Sequence, residues 1–71
     1  MSDEIKRAFD VLKEAMQADS EYAWSWHCNI AMASINEGME HMAANQAAAR
    51  FMKLCFDVDT SKSPRFATLK N

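Results

Sequence analysis

Apolar side chains in the first part of the chain return every three or four positions. Ile5, Ala8, Phe9, Leu12, Ala15 and Met16 share one stripe at helical spacing, and Lys6, Arg7, Asp10, Lys13 and Glu14 cover the opposite side. Ser2 is a good N-cap, and the carboxylates of Asp3 and Glu4 behind it suit the positive end of a helix dipole. The pattern predicts an amphipathic helix over about residues 3–18 with one face to bury.

Asp19 and Ser20 restart the pattern as capping residues, with Glu21 suited to a first turn, and Gly38 is the natural terminator because glycine takes the left-handed conformation without steric cost. A second helix is therefore expected over about 20–37. Its expected core face is Trp24, Cys28, Ala31 and Ile35, extended by Met32 and Met39. Tyr22, Trp26, Ile30 and Ala33 form a second apolar group roughly opposite. A helix apolar on two sides is either sandwiched between neighbours or shares its outer side with another molecule. Exposed aromatic patches mark interfaces, so Tyr22, Trp26, Ile30 and Ala33 are the candidate partner-binding or dimer-binding residues.

Residues 41–56 have high helix propensity nearly throughout, with an expected inward stripe of Ala44, Ala47, Ala48, Phe51, Leu54, Cys55 and Val58. Small residues at 44, 47 and 48 let another helix come close. Pro64 disfavours helix at Ser63, so residues 57–71 read as an irregular tail, with Phe66 and Leu69 docked on the helices. The fold class expected is all-α, a single domain over residues 1–71: a helical hairpin plus a further helix, with short connections that force antiparallel neighbours.

Composition adds to this. One glycine and one proline in 71 residues leave few places to break helices. A chain this short buries only a little over half of its unfolded surface, so its core is thin, and homodimerisation through the second face of the middle helix would thicken it. Two cysteines, Cys28 and Cys55, are too few for a disulfide framework. No signal peptide or membrane span is expected, and a reducing cytoplasm fits.

The net charge of −2 hides a polarised chain. Residues 1–40 carry eight acidic and three basic side chains, whereas residues 41–71 carry five basic and two acidic ones. The opposite halves attract within the fold or across a dimer; alternatively Arg50, Lys53, Lys62, Arg65 and Lys70 form a basic patch for nucleic acid.

The chemistry-bearing residues do not assemble into a known site by spacing. His27, Cys28, His41 and Cys55 lack the short paired spacings of structural zinc, and adjacent His27 and Cys28 point about 100° apart on a helix. One glycine cannot supply a phosphate-binding loop, and the carboxylates are scattered over helix surfaces. The expectation is a non-enzyme with no cofactor and no metal. Asn29 and its neighbours Ser25 and Asn36 form either a solvated strip or a register-fixing polar contact.

The strings Tyr22-Ala23-Trp24-Ser25-Trp26-His27-Cys28-Asn29-Ile30-Ala31-Met32-Ala33, Asn45-Gln46-Ala47-Ala48-Ala49-Arg50-Phe51-Met52 and Phe56-Asp57-Val58-Asp59-Thr60 resemble a family of small uncharacterised accessory proteins of tailed bacteriophages and prophages. The resemblance runs from about residue 10 to Phe66. It implies a phage accessory product in the cytoplasm of the bacterial host, where a small non-catalytic protein works by occupying the surface of a host or phage protein. A host-directed binder is thus the leading expectation. A nucleic-acid-associated protein and a purely structural homodimeric scaffold component are the alternatives.

Overall fold

The computed structural model describes Ser2–Thr68 and is all-α. Its elements are α1 (Asp3–Ala18), α2 (Ser20–Asn36), α3 (His41–Phe56), a 3₁₀ turn (Thr60–Lys62) and α4 (Pro64–Thr68). Every boundary has a local cause. The Ser2 hydroxyl accepts from the Ile5 N–H at 3.3 Å. One residue, Asp19, closes α1 by donating its N–H to the Ala15 carbonyl, and opens α2 by accepting from Glu21 and Tyr22. Gly38 has φ +101°. Its N–H reaches the Ile35 carbonyl and that of Met39 reaches Ser34, so the carbonyls freed at the end of α2 are satisfied by a left-handed cap. The start of α3, without an obvious cap in the sequence, is capped by Glu40, whose two oxygens accept from Met42 and Ala43 at 3.0 Å.

The expected irregular tail is wrong over residues 60–68. Ser63 is extended, as a residue before proline must be. Pro64 then takes the first helical position, where its missing N–H costs nothing, and the Ser63 hydroxyl accepts from Arg65. Proline here starts a helix instead of preventing one. The short α4 buries Phe66 against Trp24 and Ala49, so the expected docking of Phe66 is seen. Leu69 lies outside the described residues.

α2 and α3 make the principal contact, α1 packs on α2, and the 3₁₀ turn packs on α2, α3 and α4. One half of the core joins Met16, Ala23, Met52 and Phe56, with Leu12, Trp26, Ile30, Cys55 and Val58 against it. Ala44 and Ala48 are completely buried, and their small side chains let α2 and α3 approach.

Two inward stripes differ from expectation. On α3 the buried positions are Ala44, Asn45, Ala48, Ala49, Met52 and Phe56, whereas Phe51 is 44% and Leu54 86% exposed. An Ala-rich helix carries overlapping apolar stripes, and the partners of Asn45 and Met52 decide which one turns inward. On α2 the buried residues are Ala23, Trp24, His27 and Ala31. The core face is thus rotated toward His27 and away from Met32 and Met39, which are exposed.

Candidate functional site

His27 is the most enclosed polar group among the described residues, with no exposed surface. Its Nε2 lies 3.0 Å from Asn45 Oδ1 and its Nδ1 2.7 Å from Thr60 Oγ1. Asn45 Nδ2 donates to the His41 carbonyl at 2.9 Å, which identifies Oδ1 as the acceptor. His27 therefore carries its proton on Nε2 and donates to Asn45, while the Thr60 hydroxyl donates to Nδ1. The ring stacks on Trp24 at 4.4 Å and meets Phe66 edge-on at 5.9 Å. Burial pushes the imidazole below its ordinary pKa, with the Asn45 bond opposing in part. Both nitrogens are engaged, so this imidazole bolts α2 to α3 and the 3₁₀ turn. It offers nothing to a substrate.

Outside this bolt, an open cleft of about 540 Å³ separates the α1–α2 junction from residues 57–65. Met16, Trp24, Val58 and Pro64 line it, together with Glu21, Asp57, Asp59, Lys62 and Arg65. Its charges are largely paired. Arg65 meets Glu21 at 2.9 Å and Lys53 meets Asp57 at 2.8 Å. The Lys53 ammonium lowers the Asp57 pKa and is itself raised by the same bond. Asp59 is held low by the Ser61 hydroxyl.

The second apolar group of α2 is divided. Trp26 and Ile30 are half-buried against the core beside Leu12, with Trp26 meeting Tyr22 edge-on at 6.5 Å. Tyr22 and Ala33 are exposed. Of the basic residues, Arg50 and Lys53 line one shallow groove and Lys62 and Arg65 the cleft. Lys53 and Arg65 are ion-paired, and Lys70 lies outside the described residues. Cys28 and Cys55 are free and half-buried, and no group of three or more metal-ligating side chains occurs among the described residues.

Exposed apolar side chains also lie outside the expected set. Phe9 of α1 stacks on Phe56 at 4.8 Å, and Phe51 meets Phe56 edge-on at 6.2 Å, so one aromatic cluster ties α1 to the outer side of α3. Ile5, one turn before Phe9, is 59% exposed, and Leu54 lies three residues beyond Phe51. Ile5 and Phe9 on α1 and Phe51 and Leu54 on α3 are thus exposed apolar side chains on the two helices that this cluster joins. Their helical spacing was legible in the sequence, but that spacing assigned them to the core.

No known protein family, curated protein or solved structure matches this chain. No helix among the described residues is long and apolar enough to cross a membrane.

Proposed function

We propose that this protein is a small phage accessory protein that acts without catalysis, inside the bacterial host, by binding and modulating a host protein. The phage setting rests on the resemblance of its Trp24–Asn29 string and flanking segments. The binding mode rests on one observation: Ile5, Phe9, Phe51 and Leu54 are exposed apolar side chains on two helices joined at Phe56, with Leu54 86% exposed, and we read them as one docking strip. Apolar patches spanning two elements of a small protein favour protein partners, and aromatic anchors concentrate the binding energy.

The test is capture from bacterial lysate with tagged protein, comparing wild type with Leu54→Asp and with Phe51→Ser. A specific host protein should be retained by wild type and reduced about tenfold or more by either change, since loss of an anchor costs about 2 kcal/mol. Leu54 is almost fully exposed, so Leu54→Asp should melt like wild type, whereas Phe51→Ser loses the contact with Phe56 and should melt lower while remaining folded at the capture temperature. Equal capture by all three would remove this strip as the docking surface.

A further inference from the structure

α1 has a second unpartnered side that the strip above does not use. An open groove of about 590 Å³ runs along Ala8, Val11 and Ala15, lined also by Glu4, Arg7, Leu12 and Tyr22. Val11 is 62% exposed. The molecule is also flat, with extents of 41 × 26 × 15 Å.

The surface area agrees with the shape. The chain exposes 5120 Å², where a compact monomer of 8.1 kDa is expected to expose about 4500 Å². The chain therefore exposes about 600 Å² more than a compact monomer of its mass.

We infer that the groove is covered by a second copy of this chain, the two α1 helices packing antiparallel about a twofold axis. The charge pattern selects this occupant. At about 100° per residue, Arg7 and Glu14 lie on the same edge of α1, beside the Ala8–Val11–Ala15 seam. A twofold axis passing beside the midpoint of Asp10 and Val11 sets Arg7 opposite Glu14 of the partner subunit and, by symmetry, Glu14 opposite Arg7 of the partner subunit. Neither side chain has an ion-pair partner among the described residues. The small side chains of Ala8 and Ala15 allow the backbones to approach, and Val11 packs near the axis. An isologous contact of this kind closes on itself and stops at a dimer. It lies on a different side of α1 from the proposed host-binding strip, so either assignment can fail without the other.

Sedimentation equilibrium across a concentration series tests it on the full chain. Wild type should run at twice the chain mass at micromolar concentration. Val11→Asp should run at the chain mass while keeping the helical signal of wild type at low temperature, because the position is exposed, and should melt lower by the lost association. Arg7→Glu and Glu14→Arg should each weaken the dimer about tenfold, and the double swap Arg7→Glu with Glu14→Arg should restore it, which no merely apolar contact would do. A wild-type chain that stays monomeric up to about 100 µM, where even weak dimers form, overturns the inference. So does a dimer that survives Val11→Asp, or a double swap that fails to restore association.

Discussion

α1 and the α2–α3 pair invert the usual relation between pattern and burial. α1 has the cleanest amphipathic pattern in the chain, yet Met16 is its one buried residue. α2 and α3 have blurred patterns and hold nearly all of the remaining core. An apolar stripe therefore records a capacity to be covered, and which stripe is covered depends on the length and position of the neighbours. α3 meets α2 along small residues and is locked by His27. α1 reaches the body through Leu12 and Met16, an aromatic stack at Phe9, and Gln17, whose side-chain amide donates to the Phe56 carbonyl at 3.2 Å.

The contrast predicts a steep gradient of mutational cost. The largest effect is expected at Met52, completely buried where α1, α2 and α3 meet: Met52→Ala should cost about 2–5 kcal/mol, enough to unfold much of a marginal domain, as read by urea titration. Next comes His27→Ala, which leaves the Thr60 hydroxyl and Asn45 Oδ1 unpaired and should cost about 2 kcal/mol, with water refilling part of the space.

The same residue sets a pH dependence. Its folded pKa lies below the unfolded value, so the unfolded state binds the proton more readily. The contribution is intact above the unfolded pKa of about 6.5 and is lost as pH falls below it, through the lower folded value. Melting temperature should drop between pH 7 and pH 5 in wild type, and the drop should be smaller in His27→Ala. Glu40, Asp57 and Asp59, all with lowered pKa values, act only in the more acid carboxylate range. A wild-type profile flat over that window would show that His27 protonates without breaking the bolt.

Smaller again is Asp19→Ala. Loss of the cap should cost about 1 kcal/mol, which corresponds to roughly 4–8 °C in a domain of this size by calorimetry. At the exposed end of α1, Ile5→Ser should change stability by less than about 0.5 kcal/mol. A large loss there would mean that the Ile5 side of α1 is covered in solution.

Most of the helix layout was legible because it rests on local chemistry: Ser2, Asp19 and Gly38 announce their boundaries by residue type. Glu40 was missed because a glutamate cap is less common than a short polar one, and α4 because Pro64 was read as a breaker where it serves as a first residue. The His27 bolt was not legible, since its partners Asn45 and Thr60 are 18 and 33 residues away and no spacing rule links them. Leu54 and Phe51 mislead for the same reason: periodicity gives them a side, and only the fold shows that nothing described covers it.

The single residue between α1 and α2 makes α1 a lever. Asp19, at φ −137° and ψ 103°, sets the direction of a rod about 24 Å long by helical rise. A rotation of about 20° in that one torsion would carry the far end of α1 through roughly 8 Å, so the Phe9–Phe56 stack and the buried Met16 are what hold the rod in place. Whatever seats on α1 acts at the long end of that arm, where a weak contact has the greatest leverage over the outline of the molecule.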